Sequence, residues 1–305
     1  MAADALVTVV VLTHQRSAEL RRTLAHLRRL PEHPAIVVVD SGSCTRDARA
    51  NREAAAEVGA LLVRVTRHLG AAARNAGVAQ VRTPYVAFCD DDTWWAPGAL
   101  QRAVEVMASC PSVGLINGQV RIGPEQRPDP RCSRMAQSPL DRIGLPGPAI
   151  LTFVAGAVVM RTQAFKEAGG YEPRLFHGAE ERLMGLDLAT LGWDMVYLAD
   201  AVVHHHPAPP QQSVERRLLA VRNRLWIAAM RLPWPDAARE VRHILRQASA
   251  QGVGAAVLWR TAVGLPWALW HRQRVPADVV RMHRLIRGDA DAGHAICPKG
   301  MPRVG

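Results

Sequence analysis

The sequence predicts a mixed α/β fold, an open and mostly parallel sheet flanked by helices. Three observations carry that prediction. Short runs of β-branched and apolar residues, at 7–12 and 35–39 above all, have the unbroken hydrophobicity of strands buried on both faces. Stretches with apolar residues at three- and four-residue steps separate these runs, so strand and helix alternate from the start of the chain. Polar residues follow three of the runs directly, at Thr13, Asp40 and Asp90 to Asp92. In open parallel sheets ligands bind beyond such strand ends.

The elements follow in order. Val7-Thr8-Val9-Val10-Val11-Leu12 ends at Thr13-His14-Gln15-Arg16, and Leu20, Leu24, Leu27 and Leu30 then make 17–30 an amphipathic helix with Ser17 as N-cap. Ala35-Ile36-Val37-Val38-Val39 is the second strand, closing on Asp40-Ser41-Gly42-Ser43. A helix over 46–58, a strand at 61–65 and a helix over 71–81 lead to Tyr85-Val86-Ala87-Phe88-Cys89 and the acidic triplet. Residues 123–148, rich in Pro, Arg and Gly, predict a long loop. Residues 153–160 return to strand character, a helix from Thr162 runs into Gly169-Gly170-Tyr171, and a helix over 177–191 precedes a strand at 195–198. His204-His205-His206-Pro207 closes this part, and no internal repeat is visible.

With 305 residues, 49% of them hydrophobic and 21% charged, the chain can build one large core and an appendage. Its five scattered cysteines show no Cys-x-x-Cys spacing, which excludes a disulfide framework or zinc ribbon and fits a reducing cytoplasm. Met1-Ala2-Ala3-Asp4 lacks the basic n-region of a signal peptide. The charge is uneven. Residues 211–305 carry 16 Lys and Arg against 6 Asp and Glu, a net of +10, and residues 1–210 carry 22 against 21. This tail reads as helical and holds five of the eight tryptophans. It is either a segment lying at the headgroup level of an anionic membrane or a subdomain packed on the rest of the chain. Arg260 and Pro266 interrupt its most apolar stretch, Val253 to Trp270, which is too short to span a bilayer. No nucleic-acid recognition motif accompanies the basic charge.

The acidic triplet carries the chemistry. Three adjacent carboxylates at a strand end repel one another, and a divalent cation removes the conflict. A hard cation held by one or two protein carboxylates keeps its other positions for phosphate oxygens, so Asp90-Asp91-Asp92 points to a metal-bound diphosphate. Arg74 offers a fork suited to phosphate. Asp40 reads alone as an Asx-turn residue, and with the other rim motifs as a base contact. Glu180-Glu181 lies on a helix. Adjacent strand residues point to opposite faces, so one histidine of 204–206 serves the site and two are bystanders. Trp193 reads as core packing, and either Trp94 or Trp95 as a sugar platform with the other structural.

In their order along the first two-thirds of the chain, these motifs resemble the family 2 glycosyltransferases, which have the GT-A nucleotide-sugar fold. The segments that carry the resemblance are Thr13-His14-Gln15-Arg16, Val38-Val39-Asp40-Ser41-Gly42-Ser43, Gly70-Ala71-Ala72-Ala73-Arg74-Asn75-Ala76-Gly77, Asp90-Asp91-Asp92, the strand-helix-Gly-Gly-aromatic unit from Phe153 to Tyr171, Glu180-Glu181 and the histidine run. The resemblance implies a nucleotide-sugar-binding transferase domain at 1–210, followed by an arginine- and tryptophan-rich helical extension at 211–305. It implies transfer of a sugar, with inversion, from a nucleotide diphosphate donor to a saccharide, lipid-linked or small-molecule hydroxyl, in cell-envelope polysaccharide or glycolipid synthesis. Thr13, Arg16, Asp40, Arg74, Asp90 and Asp91 would bind the nucleotide, Asp92, Asp90 and His205 would bind Mn²⁺ or Mg²⁺, and Glu181 with Glu180 would supply the base. Location would be cytoplasmic, with peripheral contact to the inner face of the membrane through 211–305. Leu183 and Asp187 stand where the family shows an acid and an arginine. They point to a second reading, a catalytically inactive nucleotide-sugar or glycan-binding module. A sugar-phosphate nucleotidyltransferase would need glycines after the first strand, which Thr13-His14-Gln15-Arg16 lacks.

Overall fold

The computed structural model describes residues 6–207, 214–250 and 254–288. The expectations that fall on the N-terminus, on Cys297 and on the far end of the basic tail lie outside these residues. β1 (Val7–Thr13), β2 (Ala35–Ser41), β3 (Leu61–Val65) and β4 (Tyr85–Asp90) form a parallel half-sheet in the order β3-β2-β1-β4. α1 (Ser17–Arg28) and α2 (Thr45–Glu57) connect the first three strands. The valines and isoleucine of β1, β2 and β4 are buried, as strands covered by helices require, whereas those of the edge strand β3 are half-buried. The register pairs Thr13 with Asp40 and Leu12 with Asp90, so the three polar strand ends share one rim.

Beyond β4 the sheet turns mixed. β8 (Val158–Arg161) runs antiparallel to β4 and β6 (Val113–Ile122), β9 (Asp194–His205) runs parallel to β6, and β5 (Thr93–Trp95) runs antiparallel to β9. α4 (Ala99–Ser109) follows β5 in the chain, and α6 (Thr162–Glu167) follows β8. The histidine run therefore ends a twelve-residue strand, longer than the 195–198 expected, and lies alongside the acidic triplet.

Several boundaries differ from the sequence reading for local reasons. Ser17 does not cap α1, because its Oγ donates to Asp47 Oδ1 of α2 at 2.8 Å. The helix expected over 71–81 is a 3-10 turn at Gly70–Ala73 followed by the short α3 (Arg74–Val78). The strand expected at 153–160 is broken by a 3-10 turn at Ala155–Ala157, where the backbone closes on the rim: a Cβ on Gly156 would stand 2.7 Å from Asp90 Oδ2. The loop 123–148 contains β7 (Arg127–Pro128), paired with β6, and α5 (Pro130–Ala136). Asp129 caps α5 by accepting from the Arg131 amide at 2.7 Å, and Pro130 occupies the first turn. The helix expected over 177–191 is α7 (Glu180–Thr190), since left-handed conformations at Phe176, Gly178 and Ala179 form a bend instead.

The tail folds as α8 (Val214–Arg231), α9 (Trp234–Ala250), α10 (Gly254–Trp270) and α11 (Ala277–Arg287). Trp226, Ile227 and Met230 of α8 join the main core beneath the sheet domain. The Trp226 indole donates to Thr261 O at 2.9 Å and lies so close to Gly264 that no side chain would fit there. Among the described residues, no helix is long and apolar enough to cross a membrane. Asp187, at a position where the resemblance called for arginine, receives two hydrogen bonds from Arg231 at 2.5 and 3.1 Å. Both side chains are largely buried, so removing the cation strands a carboxylate. Arg231→Ala is expected to lower stability by about 2–3 kcal/mol, read from urea unfolding, with most of the loss recovered in the Asp187→Leu/Arg231→Leu double variant.

Candidate active site

The parallel strand ends open into a cleft of about 730 Å³. Its walls come from the ends of β1 and β4, the 3-10 turn at 155–157, the bend before α7, His205 and the first half of α8. Six carboxylates and four guanidiniums line it. The excess is negative, and it is concentrated at the triplet.

Each aspartate of the triplet has its own partner. Asp91 is buried, accepts from Thr13 Oγ1 at 3.0 Å and pairs with Arg16 at 2.8 Å. Its backbone carbonyl is held by Thr23 Oγ1 at 2.7 Å. Burial pushes the Asp91 carboxyl up to about 8, against the pull of Arg16 and with the push of Asp92 and Asp90. Asp92 pairs with the same arginine at 2.9 Å, and burial and Asp90 raise it too. Asp90 turns the other way, to Arg74, which is almost wholly buried. Thr93 Oγ1 accepts from the Asp90 amide at 2.8 Å and donates to Gly156 O at 3.1 Å, which fixes the turn.

β9 supplies the imidazole. His205 Nε2 lies 3.6 Å from Asp92 Oδ1, and the His206 amide donates to Asp92 O at 2.9 Å. Strand alternation sends His204 and His206 to the opposite face, against Trp94. Neither tryptophan lines the cleft, contrary to the sugar-platform expectation: Trp95 is fully buried, and Trp94 stacks on His26 in a separate cavity of about 580 Å³.

Glu180 and Glu181 open α7 and face the cleft. Burial, reinforced by Glu181, raises Glu180 to about 8, and burial also raises Glu181, with Arg74 and Arg131 pulling it down. The bend that sets them is anchored from two sides. Ala71 N donates to Phe176 O at 2.9 Å, and Asn223 Nδ2 of α8 donates to the carbonyls of Leu175, His177 and Gly178 at 2.6 to 3.1 Å. Asn75 ties α3 to the Gly-Gly-aromatic turn through two bonds with the Tyr171 backbone, at 2.8 and 2.9 Å.

Asp40 is the site residue that stands apart. It is fully buried, accepts from Ser43 N at 2.9 Å in an Asx turn, and does not line the cleft, while its Oδ2 has no hydrogen-bond partner. His14 and His68, stacked with centroids 3.7 Å apart, line the cleft at that end and both bond the neighbouring Ser41. The sequence reading missed Arg131, which enters the cleft from α5, and Asn223. The Asp129-Pro130 cap signal would have found the helix that carries Arg131. The contacts of Asn223 depend on long-range packing that leaves no local signal.

The donor set suits a hard divalent cation. Asp92 and His205 converge, the surplus carboxylate charge needs a counter-ion, and two protein donors leave positions for phosphate oxygens. Asp90 does not join them, and among the described residues no three acidic, histidine or cysteine groups form a closed metal cage.

The mixed sheet with its acidic strand-end rim is the GT-A fold of the nucleotide-sugar glycosyltransferases. The model for glycosyl transferase family 2 matches residues 8–169, and the chain belongs to that family. It is 24% identical over 237 residues, 66% of this chain and 76% of the relative, to the N-acetylglucosaminyl-diphospho-decaprenol L-rhamnosyltransferase of Mycobacterium tuberculosis. Its fold is similar to a mannosyltransferase from Pyrobaculum calidifontis in complex with GDP-Man and Mn²⁺ (TM-score 0.58, 21% identity, 94% of this chain and 86% of that one). It is also similar to residues 1–349 of S. aureus TarS in complex with UDP-GlcNAc (TM-score 0.61, 14% identity, 94% and 88%).

The raised acids give the fold a pH signature. Glu180 holds its proton to a higher pH folded than unfolded, so the folded chain binds more protons between an ordinary glutamate value and about 8, and stability falls as pH rises through that window. Glu180→Gln is expected to raise Tm relative to the parent chain, by more at pH 8 than at pH 5, in paired melts.

Proposed function

We propose that the protein is a metal-dependent, inverting transferase that moves a sugar from a nucleoside diphosphate to a hydroxyl acceptor. The observation that carries this reading is the pairing of a cation-seeking rim, Asp91, Asp92 and His205, with Glu180 and Glu181 across one cleft. Asp92 and His205 would hold Mn²⁺ or Mg²⁺, which supplies Lewis-acid stabilisation to the departing diphosphate. Arg16 and Arg74 brace the triplet, and their forks would donate to phosphate oxygens in place of a carboxylate partner. Thr13 and Asp91 would meet the ribose end. His14 and His68 offer flat faces to the base, and both bond Ser41, the neighbour of the fully buried Asp40.

Glu181 takes the acceptor proton as the hydroxyl attacks the anomeric carbon opposite the diphosphate, and its own burial, with Asp90 nearby, keeps its basicity high. Leu183 is core packing, which explains an apolar residue where an acid was expected. A lipid-diphosphate-linked acceptor of the kind named for the mycobacterial relative fits this reading, as does a role in envelope synthesis at the cytoplasmic face of a membrane.

Two measurements test it. A nucleoside diphosphate should bind by calorimetry with Mn²⁺ or Mg²⁺ present and lose most of its affinity in EDTA; equal affinity in both would refute the metal role. Glu181→Gln should cut turnover at least about a hundredfold while donor binding persists, and the acid limb of the parent's kcat profile should lie above an ordinary glutamate value. Unchanged turnover moves the base elsewhere.

A further inference from the structure

α10 is packed inside out. The side that meets the body of the protein carries one large residue, the half-buried Trp267, and is otherwise small or slim: Val257 and Ala268 are buried, and Gly264 lies under the Trp226 indole. The other large residues point away. Leu258, Trp259, Val263, Leu265, Leu269 and Trp270 are exposed, with Trp259 at 74% and Trp270 at 87%. Every exposed position on this helix whose side chain is described is apolar. At 100° per residue these positions fill one continuous arc of about 160°. A helix evolved only to close a core would turn its tryptophans and leucines inward. Patches of this kind mark interaction surfaces.

The geometry points to this face as a docking surface for an anionic lipid bilayer. Charge chooses the occupant. His271 follows Trp270, the exposed Arg274 comes three residues later, and the segment 211–305 carries 16 basic against 6 acidic residues. A second copy of this chain would bring that same positive field against itself, whereas acidic headgroups complement it. Tryptophans sit eleven residues apart on the face, at 259 and 270, as amphipathic anchors suited to the headgroup boundary. The single basic residue within the helix, Arg260, lies off the arc and is bonded to Glu215 of α8.

The position of α10 gives the docking a consequence. Glu215 lines the catalytic cleft, as do Arg216 and Leu219 on the same helix. On its packed side Trp267 lies under the Arg174 guanidinium at 4.9 Å, two residues before the Phe176–His177 wall of the cleft. A bilayer against α10 therefore sits one helix away from the mouth of the cleft. The inference rests on this surface alone and survives even if the transferase reading fails.

The test is sedimentation of the full chain with vesicles of phosphatidylglycerol and phosphatidylcholine, and with phosphatidylcholine alone. The parent chain should pellet with the anionic vesicles, and brominated lipids should quench its indole fluorescence. Trp259→Ser/Trp270→Ser should keep its melting temperature and lose about tenfold or more in the bound-to-free ratio, since binding scales with the apolar area inserted. Equal pelleting by the variant, or no quenching of the parent chain, overturns the proposal. So does a parent chain that is dimeric by sedimentation velocity, fails to pellet and becomes monomeric on substitution, which would assign the face to self-association.

Discussion

Three adjacent carboxylates at the end of a buried strand are an electrostatic liability, and much of this site is arranged around keeping them there. β4 delivers Asp90 to Asp92 to a rim where two are almost fully buried, so water cannot screen them. Arg16 spans Asp91 and Asp92, and Arg74 takes Asp90, so two guanidiniums serve three acids. The deficit appears as raised proton affinity at Asp91 and Asp92. A cation bound at such a rim would relieve a stress already present in the fold.

The same logic extends to the opposite wall. Glu180 and Glu181 begin α7, where backbone amides favour acidic groups, yet burial makes both hold protons above the ordinary range. A base that must take a proton from an alcohol benefits from that shift, since basicity rises with it. Holding a buried and a half-buried glutamate side by side demands a rigid approach. The bend before α7 uses left-handed backbone at Phe176, Gly178 and Ala179, and the amide of Asn223 ties three of its carbonyls to α8.

What could be read from the chain depended on how local the cause was. β1, β2 and β4 are continuous runs of β-branched and aromatic residues, and their polar ends announced the rim before any register was known. The period of a strand left one histidine of 204–206 for the site, the family resemblance picked His205, and in the fold that residue faces Asp92 while its neighbours turn to Trp94. The failures share a different cause. Residues 153–160 look like a strand, but the backbone at Gly156 must pass beside Asp90, and that approach breaks the strand into a 3-10 turn. Residues 177–179 look helical, but tertiary hydrogen bonds from α8 hold them in a bend. Asp40 sits at its expected strand end but faces inward beneath its own Asx turn, which residue type alone could not decide.

The departures from the family pattern resolve in the same way. Leu183 fills the core, and Asp187 binds Arg231 rather than any ligand. Both sit on α7, and both serve its attachment to neighbouring layers. α7 thus carries Glu180 and Glu181 at one end and a bond to α8 further along, while α8 in turn lines the cleft, ties the bend and supports α10 through Trp226. The basic extension is therefore mechanically continuous with the wall of the site. Among the described residues, α10 and the bend that sets the glutamates are joined through one intervening helix, α8.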